Sequence, residues 1–195
     1  MVRELLSYVY GSAVALILGI ATAVWATERL PFFGELQIGD WTAFPSVGRA
    51  DPDPYTRAYL ARTGALPLAI AEGIAFEMHA DSEGRPLNAA CHYLIVGKTP
   101  TTRRWTIRVE RTGPAYDASK PALPVSLHSR GLLHQVDGSL AIRVSPIPEP
   151  GNWLYTGPNG PFKLVLTLYD TTIASDIGLT ELTMPEVKFE GCGNV

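Results

Sequence analysis

The sequence predicts a mainly β fold: an antiparallel β-sandwich with a short helical lead-in, preceded by one N-terminal transmembrane helix. Three observations carry this reading. Residues 5–27 contain no charged side chain. After Pro86, several short runs alternate apolar and polar residues with a period of two. The 16 prolines and 18 glycines are spread along the 195 residues rather than clustered, which is the punctuation of many short strands. The chain therefore divides into a transmembrane helix over 5–27, a linker and lead-in over 28–50, and a β-sandwich domain with N-terminal helices over 51–195.

As a helix rising about 1.5 Å per residue, the uncharged run is long enough to cross roughly 30 Å of hydrocarbon. Tyr8 and Tyr10 stand at one end and Trp25 at the other, as in interfacial aromatic belts. A secretion signal is the competing reading, with Val24-Trp25-Ala26 or Ala21-Thr22-Ala23 as cleavage sites. The run exceeds the ~7–15 apolar residues of a usual signal core, so a retained anchor is expected. Arg3 and the amino terminus precede the span, and Arg29 follows it beside Glu28 and Glu35. The positive charges tip toward an inside N-terminus, which leaves the rest of the chain on the outer, periplasmic side. Gly11, Ala15, Gly19 and Ala23 recur at every fourth position. That spacing aligns them in one helical stripe, where a neighbouring membrane helix can approach closely.

The lead-in holds four large aromatics, Phe32, Phe33, Trp41 and Phe44, expected to tuck into the domain. Asp53 suits a helix cap, with Pro54 at the first helical position. Tyr55, Ala58, Tyr59 and Arg62 follow at helical spacing, and Gly64 reads as the stop. Pro67 reads as the start of a second helix, although the period over residues 68–78 is weak. Asp81 to Gly84 read as a turn. Strand patterns come next. Trp105, Ile107 and Val109 share a face in RWTIRVER, as do Leu140, Ile142 and Val144 in SLAIRVS and Phe162, Leu164, Leu166 and Leu168 in FKLVLTLYD. Asp137-Gly138, between two such runs, is a hairpin signal. The alternation leaves one sheet face wet, which favours antiparallel sheets stacked as a sandwich over a parallel α/β sheet.

Several blocks carry a family likeness: DPYTRAYLARTGALPLAIAEGIAF, DSEGRPLNAACHYLIVG, TTRRWTIRVER, VDGSLAIRVSP, PGNWLYTGPNGPFKLVLTLYD and MPEVKFEGC. Over about residues 39–192 the chain resembles the bacterial family called domain of unknown function twelve-fourteen, in its short, membrane-anchored form. The resemblance implies a jelly-roll-like sandwich with a helical lead-in. It implies no reaction and no agreed catalytic set. Family members often read Asn-Trp-Leu-Pro where this chain has Tyr155 in the last place. Cys91 and Cys192 are the only cysteines. By themselves they fit either two separate thiols or a bridge closing a long loop. Family members carry cysteines at both places, and a periplasmic domain permits oxidation, so a bridge is expected.

Recognisable chemistry is sparse. The net charge is −3 and lysine is confined to Lys98, Lys120, Lys163 and Lys188. No nucleic-acid partner is expected. His79, His92, His128 and His134 form no His-x-His, and there is no Cys-x-x-Cys, so no metal site is expected. Glu77, His79 and Asp81 alternate in EMHAD, a pattern read here as a helix end entering a turn. Gly-x-Ser-x-Gly and Ser-x-x-Lys signatures are missing. Glu72 and Asp81 are the carboxylates closest to a glycosidase-like pair, which requires ~5–10 Å spacing. A bond from Glu72 to the backbone, Arg57 or Arg104 is the plainer expectation. No catalytic, cofactor-binding or metal-binding residue is assigned, and no cofactor is expected.

The functional expectation is assembly. The chain reads as a non-catalytic single-pass protein of a bacterial inner membrane with a periplasmic sandwich. It would serve as an accessory or stabilising subunit of a larger respiratory or photosynthetic type complex. Its partners would be membrane lipid and other transmembrane helices. Two alternatives remain: a ligand- or carbohydrate-binding module of the envelope, or a homo-oligomeric scaffold pairing through the small-residue stripe. Exposed aromatics would serve the former, drawn from Trp41, Trp105, Tyr116, Trp153 and Tyr155. Trp105 falls on a core face; Trp153 and Tyr155, in the Pro/Gly-rich PEPGNWLYTGPNG, are the better contacts.

Overall fold

The computed structural model describes residues 2–29, 34–64, 66–111, 123–157, 159–171 and 182–193. The uncharged run forms helix α1, Val2–Arg29, which extends past the expected 5–27 at both ends. Its apolar stretch, Val2–Trp25, is 24 residues long. Helix α2, Pro54–Thr63, begins as its sequence dictates: the Asp53 carboxylate accepts from the amides of Tyr55 and Thr56, satisfying two of the orphan donors of the first turn. It ends at Gly64, whose φ of 64° suits a residue without a Cβ.

Among the described residues, the remaining chain forms β1 (Leu36–Ile38), β2 (Trp41–Ala43), β3 (Gly73–Met78), β4 (Cys91–Gly97), β5 (Arg104–Arg111), β6 (Ser126–His128), β7 (Leu140–Ser145), β8 (Trp153–Tyr155), β9 (Phe162–Tyr169) and β10 (Glu186–Cys192). They make two sheets, one of order β1-β2-β3-β9-β5-β6 and one of order β10-β4-β7-β8. Inward residues of both, among them Phe76, Leu166, Tyr93 and Ile142, form one buried cluster. The Tyr93 ring of the smaller sheet meets Phe162 of the larger one edge-on at 5.9 Å. This is the stacked, two-sheet arrangement expected from the alternation. Trp41 is buried as anticipated, and its indole N–H donates to the Pro185 carbonyl at 2.8 Å.

Three expectations need correction. No second helix starts at Pro67. Residues 66–69 have no regular structure, and β3 follows from Gly73. Ile74, Phe76 and Met78 are buried while Ala75 is exposed, a period of two that the small residues around it obscured. The sandwich domain therefore has one N-terminal α-helix plus a 3₁₀ turn at Pro45–Gly48, and EMHAD ends a strand, not a helix. Second, the strands are not all antiparallel: β8 runs parallel to β7, with Arg143 opposite Trp153. Pro146, Pro148 and Pro150 fill the link, which carries no helix. Third, Asp137-Gly138 does make a tight turn, with Gly138 N–H bonded to the Gln135 carbonyl at 2.9 Å. It closes only a single bridge, His134 to Leu140, rather than a full hairpin.

Candidate functional site

The stripe of Gly11, Ala15, Gly19 and Ala23 lies on α1, none of whose apolar stretch is buried. A Cβ added at Gly11 or Gly19 would have nothing within 4 Å. Two hydroxyls of the helix bond back to its own backbone. The Ser7 hydroxyl donates to the Arg3 carbonyl at 3.0 Å, and the Thr22 hydroxyl to the Leu18 carbonyl at 2.8 Å. Such back-bonding lowers the cost of placing those two hydroxyls in apolar surroundings.

Cys91 and Cys192 are joined in a disulfide across a sequence separation of 101. They are also register partners at the ends of β4 and β10, so the bond ties the last strand to the sheet interior.

Trp153 and Tyr155 are strand residues of β8 rather than loop residues. Both are half-buried. The Trp153 indole N–H is spent on Ser145, 3.0 Å from its hydroxyl and 3.3 Å from its carbonyl, and the two rings meet edge-on at 6.0 Å. The polar handle of Trp153 is thus engaged inside the chain. Trp105 is in the core, as expected. Phe32, Phe33 and Tyr116 lie outside the described residues.

Asp81 is 1% exposed. Its carboxylate accepts from the amides of Glu83 and Arg85 at 2.9 and 3.0 Å, and from Arg85 Nε at 2.7 Å. Burial pushes this carboxyl up, but Arg85 and the two amides more than offset that and hold it below its ordinary value. The Arg85 guanidinium in turn lies over the Phe189 ring at 4.2 Å, and Phe189 meets Tyr93 edge-on at 5.8 Å. The D-x-x-G-R-P-L block is therefore a knot that fixes the turn after β3 against β10. Glu72 and Asp81 lie beyond opposite ends of β3, whose five steps alone span about 17 Å at ~3.3 Å per residue, too far for a glycosidase pair. His79 Nε2 lies 3.4 Å from Glu77 and His92 Nδ1 lies 3.3 Å from Glu149. Among the described residues no three His, Cys, Asp or Glu converge as a metal site would require.

One feature escaped the sequence reading. On the outer face of β3, β9 and β5, opposite the core, a cleft of about 570 Å³ lies beneath residues 44–48 and 66–70. Val165 and Thr167 point outward by alternation yet are 1% and 4% exposed, because this lead-in covers them. Along the same face Lys163 Nζ sits 2.8 Å from Glu77 Oε1 and 3.2 Å from Glu110 Oε1, while Arg108 Nη2 sits 2.9 Å from Glu110 Oε2. Burial pushes Lys163 down, but Glu77 and Glu110 outweigh it and hold the ammonium above its ordinary value. Burial likewise pushes Glu110 up, and Arg108 and Lys163 bring it below the usual carboxylate range. The available signal was Val165 amid the leucines of FKLVLTLYD, a strand apolar on both faces.

No curated protein matches the chain. Among solved structures it is similar to the VPA0106 protein from Vibrio parahaemolyticus, with a TM-score of 0.52 and 22% identity over 69% of this chain and 35% of that one. It is also similar to an uncharacterised protein from Burkholderia cenocepacia, with a TM-score of 0.41 and 20% identity over 75% of this chain and 45% of that one. The chain thus spans about a third of the first neighbour's length and less than half of the second's. The first likeness concerns the fold alone. The family described as Protein of unknown function (DUF1214) matches residues 72–173, from the start of β3 to just beyond β9 and just over half of the sequence. The chain belongs to that family.

Proposed function

We propose that this protein is a non-catalytic accessory subunit of a larger bacterial inner-membrane complex, of the respiratory or photosynthetic type. In this reading α1 is retained as a single membrane span and docks on other membrane helices through Gly11, Ala15, Gly19 and Ala23. The β-sandwich then braces the periplasmic face. The observation that carries the reading is α1 itself: a 24-residue segment apolar enough to cross a membrane, exposed along its length, with open space over both glycines of the stripe. An apolar helix that is exposed over residues 2–25, apart from its contact with α2, needs lipid or another protein around it. Its length and its flanking Tyr8, Tyr10 and Trp25 favour retention over cleavage. The Cys91–Cys192 bond supports an oxidising compartment for the β domain. The internal engagement of Asp81 and Trp153 supports a structural rather than a chemical role for the residues that first suggested chemistry.

The test is purification from native membranes in gentle detergent through a C-terminal tag, with intact-mass measurement of the recovered chain. The reading expects the uncleaved protein in a stoichiometric assembly with other membrane proteins. Recovery of the lone protein from cells grown under several regimes, or of a chain cleaved after Ala23 or Ala26, contradicts it.

A further inference from the structure

The cleft over β3, β9 and β5 is half-built in an informative way. Its cover is fixed in place: Ile70 N–H donates to the Gly48 carbonyl at 2.9 Å, and a Cβ on Gly48 would come within 2.5 Å of the Leu68 carbonyl oxygen. The two limbs of the lead-in are therefore held together by backbone, at a spacing only glycine permits. The cover is incomplete, however. Ala75 is exposed on the floor, and Leu66 is 98% exposed at the rim. The lining is divided: the lead-in side is apolar and aromatic, with Phe44, Val47, Tyr59 and Ile70, and the sheet side carries the polar groups, Glu77, Arg108, Glu110, Lys163 and Thr167. A volume of about 570 Å³ falls in the range of small-molecule sites.

The polar end limits what can enter. Two positive groups, Lys163 and Arg108, face two negative ones, Glu77 and Glu110, and each already has an opposite charge within 3.2 Å. An entering ion would compete with an opposite charge already in contact, and at the better buried Lys163–Glu77 pair would leave a partner uncompensated, which is costly. A hydroxyl or carbonyl head has no such requirement, since it can share the remaining donor and acceptor sites of the cluster and the Thr167 hydroxyl.

From this combination we infer that the cleft binds one uncharged amphiphile, its apolar body under the lead-in and its hydroxyl or carbonyl head toward Lys163 and Glu110. The assignment rests on the β domain and is independent of what α1 docks against.

The test uses the full chain in lipid nanodiscs and a dodecanol-type alcohol carrying a diazirine in its chain, with labelled residues mapped by mass spectrometry. Saturable labelling is expected within residues 44–48 and 66–70. Unlabelled dodecanol should compete at least tenfold better than dodecanoate or dodecylammonium. Ala75→Trp fills the exposed floor without touching the core, and should cut labelling at least tenfold at an unchanged melting temperature. Glu110→Gln leaves the cluster with a net positive charge and should shift competition toward dodecanoate. A diacylglycerol with the same diazirine in an acyl chain, its head a single hydroxyl, distinguishes the source: labelling of the same segments by both probes assigns a bilayer lipid, and labelling by the alcohol alone assigns a soluble amphiphile. Labelling that does not saturate, that spreads along the chain, or that survives Ala75→Trp overturns the inference, as does equal competition by the three heads.

Discussion

The glycines of α1 and those of the β domain occupy opposite surroundings. At Gly11 and Gly19 an added Cβ meets nothing within 4 Å. At Gly73 it would lie 2.2 Å from the Leu168 carbonyl oxygen, and at Gly48 2.5 Å from that of Leu68. Only the second pair is explained by the chain's own packing. Smallness in the β domain lets backbone approach backbone within one molecule. In α1 the same smallness has no internal use, and helix propensity alone would disfavour it. Open space over both glycines is the physical basis for proposing a partner outside the chain.

The comparison can be broken at several points. The largest effect should come from Gly73→Ala, where backbone must move to admit the methyl group. We expect a loss of about 3 kcal/mol or more, measured by denaturant unfolding, whereas Gly19→Ala should leave the β domain's unfolding unchanged. Equal effects at the two positions would erase the contrast.

Next, replacing both Cys91 and Cys192 by serine should cost about 2–4 kcal/mol, because the bond holds β10 on β4. Hydrogen exchange should rise first along Glu186–Cys192 while α1 is unaffected.

Asp81→Asn should cost about 1–3 kcal/mol, since Arg85 loses its charged partner and two amides keep a weaker acceptor. The pH dependence has a definite sign. The folded-state value of Asp81 lies below the ordinary one, so its contribution is fully present above about pH 4 and is lost as pH falls through the folded value. Unfolding curves of the Asn variant should therefore be flatter below pH 4 than those of the natural protein. Glu110, also lowered, keeps some slope in both. A variant as acid-sensitive as the natural chain would mean that Asp81 is not a principal acid-labile group.

The smallest expected effect on stability, close to zero for the β domain, is that of Gly19→Leu. The same change should be the most damaging to association.

Much of the fold was legible where local chemistry decides it. Asp53, Pro54 and Gly64 bracket α2 by capping alone, and the alternation around Trp105, Ile142 and Leu166 gave β5, β7 and β9 with their inward faces. Strand β3 was hidden because Gly73 and Ala75 blur its period, and its register is imposed by β9, with Phe76 opposite Leu166. The parallel run of β8 depends on the path of a proline-rich link that no periodicity reports. The cleft was unreadable for a related reason. Its cover comes from residues 44–48 and 66–70 with Tyr59, and its floor from residues as distant as Val165 and Thr167, brought together only by the sheet order. The small-residue stripe was legible as a pattern, and the structure adds open space over Gly11 and Gly19.

The most direct test compares the natural protein with Gly11→Leu/Gly19→Leu, each expressed from its native locus with a C-terminal tag and purified in gentle detergent for native-gel and mass-spectrometric analysis. The account predicts an assembly with other membrane proteins for the natural chain and loss of that assembly for the variant, with β-domain melting unchanged. The same complex recovered with the leucine variant, or no complex with either chain, would contradict it.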